Sequence, residues 1–252
     1  MTIILQNSIP EELARDGRLP GVRPLVDKRW LRMDDAYAAQ MAYRRKLIGD
    51  KRPLVLDDGD VEARDAAAET LQEAMKLMPE MGFRITPQHI FCPDGTQVDR
   101  TLDTPLAILG RCVQEDICIL YKRGDEHVLG AAVLCFPASW TLSEKIGRPL
   151  STIHIPVANY DADVAKRVQR MFDGVHESRP LWRNNMLGYD DPELFTPRSE
   201  SDPVRPDVPM DRANFIRAEL QSILRLPQTR AIVFSIHSYV ARNQKLAQLR
   251  QA

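Results

Sequence analysis

Five histidines and four cysteines are the side chains in this chain best suited to hold a metal or attack an electrophile, and their spacing is sparse. His89, His127, His154, His176 and His237 are scattered, with no two at the i, i+3 or i, i+4 separation that puts two rings on one helix face. Cys92, Cys112, Cys118 and Cys135 form no C-x-x-C pair and no zinc-type spacing, so free thiols in a reducing compartment are expected, some of them buried in strands. The chain carries no G-x-G-x-x-G or G-x-x-x-x-G-K-[ST] loop, no G-x-S-x-G elbow, no H-E-x-x-H and no C-x-x-C-H. A centre of several histidines can then arise only through the fold. Redox chemistry here would need a cofactor held by one ligand and electrons from elsewhere.

The stretch that concentrates such chemistry is Ser143–Val157, SEKIGRPLSTIHIPV. His154 sits alone in a short apolar run, and Lys145 and Arg148 precede it. Judged without further context, a lone histidine of this kind is more often a hydrogen-bonded core residue than a ligand. The two cations have a similar plain reading, as charges near a helix end. Trp182 and Arg183, in RPLWRNN, are either a packing aromatic with its neighbour or the lining of a pocket. His237 and Tyr239 share a strand face that is either loosely packed or turned to a pocket.

The elements that must position these groups are legible in part. Helices are expected from about Asp34 to Ile48 and from Val61 to Met78, each with an apolar stripe at helical spacing. Residues 83–109 mix short apolar pieces with prolines, which predicts turns and one or two short strands. Asp116–Lys122 and His127–Phe136 flank the turn Arg123–Glu126 and predict an antiparallel hairpin, its second strand central in a sheet. Thr141–Glu144 has the capping-box pattern before a short helix. Asp161–Val175 predicts another helix, 176–212 a long loop, Asp211–Leu226 a further helix, and Ala231–Ala241 a strand with Ile232, Phe234, Ile236 and Val240 on one face. His89, His127 and His176, near turns or helix ends, are expected at the surface.

With 44% hydrophobic and 27% charged residues, the balance is that of a globular protein. The net charge of −1 gives no electrostatic case for nucleic acid or a membrane surface. No apolar run approaches the ~20 residues of a spanning helix, and the N-terminus lacks the apolar length of a secretory signal, so a cytoplasmic location is expected.

Five segments, in order, resemble the haem-dependent oxidative N-demethylase family: GVRPLVDKRWLRMDDAYAAQMAYRRKLI (21–48), QEDICILYKR (114–123), LCFPASWTLSEKIGRPLSTIHIPV (134–157), RPLWRNN (179–185) and LPQTRAIVFSIHSYV (226–240). The resemblance implies an α+β fold, a PAS-like antiparallel sheet with flanking helices, in a haem-binding unit over 83–252 that packs with an α-helical N-terminal region over 1–82. It implies haem b bound through His154 as the iron ligand, with Lys145 and Arg148 toward the propionates. Trp182, Arg183 and His237 are the candidate catalytic residues. The implied reaction oxidises a small methylated amine with O2. Electrons would come from a separate reductase subunit carrying NADPH, FMN and a 2Fe-2S cluster, and homo-oligomers are compatible with such a fold. The alternatives are a haem-binding gas or redox sensor and a non-catalytic haem-binding subunit. At His237 the family is expected to carry arginine, which is bidentate and permanently charged where histidine is smaller and titrates.

Overall fold

The computed structural model describes residues 3–13, 21–26, 29–155, 162–206 and 208–244. In chain order the helices are α1 (Tyr37–Asp50), α2 (Arg52–Val55), α3 (Val61–Leu77), α4 (Pro105–Cys112), α5 (Leu150–Ile153) and α6 (Ala162–Gly174). The strands are β1 (Arg23–Pro24), β2 (Leu56–Asp57), β3 (Arg84–Ile85), β4 (His89–Phe91), β5 (Gln97–Asp99), β6 (Asp116–Arg123), β7 (Glu126–Val133), β8 (Leu181–Tyr189), β9 (Phe215–Arg225) and β10 (Ile232–Arg242). The fold is mixed α+β. One antiparallel sheet runs β1-β8-β9-β10-β6-β7-β2, and β3-β4-β5 make a small second sheet.

Side-chain alternation gives the large sheet two buried faces. Ile117, Ile119, Val133 and Val233 pack with α1, α3 and α4 in one apolar cluster. Cys118, Leu120, Leu129, Ile223 and Ile232 pack with α5 and α6 in another. Helices therefore cover both faces. β7 is apolar from Val128 onward for that reason and not because it is central: only the two-residue β2 lies outside it. The hairpin forms as expected, with Arg123 paired to Glu126 around Gly124, whose φ of +58° suits a residue without a side chain.

α3 follows its sequence signals closely. Asp60 accepts a hydrogen bond from the Ala63 N–H as its N-cap, and Ala63, Ala66, Ala67, Leu71 and Ala74 form the buried stripe. α1 begins at Tyr37, slightly later than expected, after a turn in which Asp34 Oδ1 accepts from the Ala36 N–H. α4 appears where only turns and strands were expected. Its Pro105 stands at the first helical position after Thr104, where a missing N–H costs nothing.

The largest departures are β8 and β9. Residues 181–189 fall inside the expected loop, and 215–225 was expected to be helical. Phe215, Ile216, Leu220, Ile223 and Leu224 do recur at helical spacing, and Arg, Ala, Glu, Leu and Gln are good helix formers. β9, however, is hydrogen-bonded along its length to β8 and β10 and buried on both faces, and its alternation is confined to Arg217–Gln221. Tertiary pairing overrides local propensity.

Candidate functional site

A cavity of about 570 Å³ lies between the sheet and the helices α5 and α6. Its apolar walls include Leu120, Leu129 and Leu134 from the hairpin, Val164, Val168 and Phe172 from α6, and Ile223, Phe234 and Ile236 from the sheet. Period-two alternation on β10 puts Phe234 and Ile236 on this side, as their sequence pattern predicts. Pro156, Val157 and Asp161 lie outside the described residues, so the end of the His154 stretch and the expected first residue of α6 are not placed.

His154 follows α5 and lines the cavity. Its Nδ1 donates to the Leu150 carbonyl oxygen at 2.8 Å, which leaves the lone pair of the neutral ring on Nε2. Burial holds its pKa below the ordinary imidazole value against that hydrogen bond, and the charges of Lys145 and Arg183 push the same way. A neutral, carbonyl-anchored imidazole facing an apolar cavity is the donor a transition-metal cofactor takes.

The rim is polar. Lys145 is buried, lines the cavity, donates to the Ile153 carbonyl oxygen at 2.9 Å and pairs with Glu200. Arg148 lies outside the lining, more exposed, with Nη1 at 3.5 Å from the other Glu200 oxygen. Arg198 lines the cavity with a buried Nε that has no hydrogen-bond partner. The capping box does not form: Thr141 Oγ1 donates to the Glu144 side chain and not to its backbone, and that carboxylate also accepts from Ser199 Oγ and the Glu200 N–H. Glu144 thereby ties the loop carrying Arg198 and Glu200 to the short turn before Lys145.

Trp182 and Arg183 separate, because neighbours on a strand face opposite ways. Arg183 lines the cavity. Trp182 lies on the far face beneath the Arg23 guanidinium, 5.4 Å from its ring centroid, and packs against the cluster of Leu13, Leu220 and Tyr239. On the cavity side Arg183 stands opposite Gln221, and Asn185 opposite Glu219. Asn185, Glu219 and Gln221 all line the cavity and were not singled out in the sequence. For Glu219 and Gln221 the local signal is the short alternation Arg217-Ala-Glu-Leu-Gln221, outweighed by a composition that favours helix, and Asn185 has no such signal.

His237 lies on the face away from the cavity, and the expected alternatives of a loose or pocket-facing strand both give way to full burial. Nδ1 approaches Glu115 Oε1 at 2.9 Å and Nε2 approaches Asp34 Oδ2 at 3.1 Å. Both partners only accept, so both ring nitrogens donate and the ring is an imidazolium. Burial pulls its pKa down, but the bonds to Asp34 and Glu115 outweigh that and raise it to about 9. Asp34 moves the other way: His237, Gln114 and Gln6 hold it below the usual carboxylate value despite its burial. Gln6 also donates to the Ser238 carbonyl oxygen, so the cluster ties the N-terminal segment to β10.

This cluster sets a pH dependence of stability. A folded pKa above the unfolded value of about 6.5 means that the native state holds the proton more tightly, so the His237 contribution is full below about pH 6.5 and lost as pH rises toward 9. The lowered pKa of Asp34 works at the other end, its contribution disappearing as pH falls through the carboxylate range. Melting curves should show wild type losing on the order of 3 kcal/mol between pH 6.5 and 9, and His237→Gln losing much less over that interval. Parallel curves for the two proteins would refute this account of the cluster.

His127 is a further correction. It is buried against Phe172, with Nδ1 at 2.9 Å from Gln169 Oε1, because the start of β7 is covered by α6. All four cysteines are free and buried. Among the described residues no helix is long and apolar enough to cross a membrane, and no group of three or more His, Cys, Asp or Glu side chains is gathered to hold a metal ion.

An antiparallel sheet and two helices enclose an apolar cavity, with one neutral histidine on the helical wall and charged groups at the rim and floor, the kind of cavity in which α+β proteins hold cofactors and small ligands. A family model described as haem-dependent oxidative N-demethylase, alpha subunit-like, matches residues 21–252, and the chain belongs to that family. The family is named for haem dependence and oxidative N-demethylation, and "alpha subunit" marks a component of a larger assembly.

Proposed function

We propose that this chain binds haem b through His154 and demethylates a small methylated amine oxidatively, using O2 and electrons from a separate reductase subunit. The observation that carries the reading is His154 itself, neutral, anchored through Nδ1 to the Leu150 carbonyl oxygen and lining an apolar cavity of about 570 Å³. The donor set fits the group. The neutral His154 imidazole would hold the haem iron, and the apolar walls suit a porphyrin. The order of the five long strands, β7-β6-β10-β9-β8, with α5 and α6 between β7 and β8 in the chain, supports a PAS-like description.

When bound, haem supplies the iron centre at which oxygen is activated. The chain's own residues hold and shield that centre. Leu150 orients the His154 ring through its carbonyl. Lys145 and Arg198 at the cavity rim, with Arg148 just outside, supply cations for two propionates, Glu200 giving up part of its pairing with Lys145 and Arg148. The side chains of α6 exclude water from the apolar side. His237 and Trp182, on the far sheet face, serve packing and the N-terminal clasp and do not touch substrate.

Protein purified after expression with ample haem supply should show a strong Soret band, and addition of a compatible reductase and a methylated amine should release formaldehyde. Absence of bound haem would sink the proposal. Bound haem without formaldehyde from any methylated amine would leave a sensor or a non-catalytic subunit in place of an enzyme.

A further inference from the structure

The floor of the cavity carries a polar arrangement that haem ligation by His154 leaves unexplained. Arg183 on β8 lines the cavity, its Nε is buried with no hydrogen-bond partner, and burial lowers its pKa against the opposing charge of Glu219. Glu219 is buried and its ion pair is with Arg217 instead, at 3.5 Å. Arg217 in turn is anchored by the carbonyl oxygens of Leu194 and Phe136. Gln221, also buried, donates through Nε2 to Glu219 Oε2 at 2.9 Å. A carboxylate can only accept from that amide, so the orientation of Gln221 follows, and its Oε1 is left as a buried acceptor with no partner. The floor thus presents an open cationic donor on Arg183 and an open acceptor at Gln221 Oε1, beside the Glu219 carboxylate that Arg217 and Gln221 hold. Leaving such groups dry and unmatched costs free energy, which a complementary ligand recovers.

The register gives the spacing. Arg183 faces Gln221 directly, and Glu219 is the diagonal neighbour one step along β9. Diagonal neighbours on adjacent antiparallel strands stand ~7–8 Å apart at the backbone, and long side chains converge across that gap. A ligand carrying a carboxylate two bonds from an ammonium group spans such a gap with both ends matched. A simple alkylammonium would satisfy the acceptors but leave Arg183 unanswered, next to a second cation.

We propose that the Arg183, Glu219 and Gln221 floor binds a zwitterionic N-methylated amino acid, with Arg183 taking the carboxylate and Glu219 and Gln221 Oε1 taking the ammonium N–H. The inference rests on the oxidative demethylation reading and narrows its substrate to a methylated amine that bears a carboxylate. Ile223, Phe234 and Ile236, on the same sheet face, supply the apolar surface for the N-methyl groups. Arg217 is a positioning residue, which holds the Glu219 carboxylate from behind.

The test is calorimetric titration of the haem-loaded protein with N-methylglycine, N,N-dimethylglycine, dimethylammonium and acetate, with the Soret band recorded on the same samples. One of the two amino acids should bind at least about tenfold more tightly than dimethylammonium or acetate. Arg183→Gln should erase that advantage. Gln221→Leu, which keeps the Arg217–Glu219 pair, should weaken binding of the amino acid, and both variants should keep the wild-type Soret band. Binding of both amino acids no tighter than that of dimethylammonium, or no binding of any of the four, overturns the proposal. So does an Arg183→Gln protein that loses haem while its affinity for the amino acid is unchanged, since Arg183 would then serve the haem carboxylates. Amino-acid binding that depends on Arg183 in a protein with no Soret band would instead sink the haem reading and leave this one standing.

Discussion

His154→Ala abolishes the Soret band of the haem-loaded protein, and added imidazole restores it. The expectation follows from how little else on the helical wall can bond to a metal. Wild-type His154 offers Nε2 as a neutral donor because Nδ1–H is engaged by the Leu150 carbonyl oxygen and because burial disfavours the imidazolium. Lys145, the nearest cation in the wall, is already committed to Glu200 and the Ile153 carbonyl oxygen. Cys118, which also lines the cavity, has its thiol pKa driven far above the ordinary value by burial, so no thiolate stands in. Removing the ring leaves a slot in a half-buried turn, so stability changes little and the slot is open to free imidazole. The measurement is the absorption spectrum of reconstituted variant with and without imidazole, beside its melting temperature. A wild-type spectrum in the variant would refute the ligand assignment. Loss of the band with no rescue, in a protein that melts well below wild type, would point to a structural histidine.

The same residue shows what the sequence could and could not disclose. His154 stood out because its type, its apolar neighbours and the two preceding cations lie within one short stretch, and α5 is local structure. The helix α3 and the β6–β7 hairpin were legible for the same reason: a cap, a stripe, a turn with glycine. The cavity floor was not. Glu219 and Gln221 sit in a segment whose composition favours helix, and Arg183 and Asn185 in one whose composition reads as loop. Both become strands only by pairing with each other and with β10, over sequence separations that no local pattern reports. His237 was noticed for its type, but its surroundings were not legible. Strand alternation put it on the face opposite Phe234 and Ile236, and only the path of residues 3–13 and of Asp34 across that face shows why it is buried.

Arg44→Ala should be the most destabilising single substitution in the N-terminal region, by about 3–5 kcal/mol, the usual cost of breaking a fully buried ion pair. Arg44 is wholly buried in α1 and all three of its guanidinium nitrogens donate. Nη1 donates to Asp116 Oδ1 at 2.6 Å and to the Gln114 carbonyl oxygen, Nη2 to the Glu115 carbonyl oxygen, and Nε to the Gly110 carbonyl oxygen. Asp116 in turn accepts from the Cys135 and Phe136 N–H groups, at 2.7 and 2.8 Å. One cation therefore joins α1, the end of α4, the start of β6 and the segment leaving β7. For a chain of this size the loss corresponds to a melting temperature lower by roughly 6–20 °C. Arg44→Lys recovers only part of it, because a point charge with three rotatable donors does not reproduce the planar fork. Arg44→Met combined with Asp116→Asn should be less destabilised than the sum of the two single changes, since no buried charge is left unmatched. Denaturant unfolding of the four proteins measures that coupling, and strict additivity would refute it. The consequence reaches the cavity: Phe136, held through Asp116, lends its carbonyl oxygen to Arg217, which holds Glu219. Loosening Arg44 should therefore weaken ligand binding at the floor while His154, on the opposite wall, keeps its Leu150 anchor.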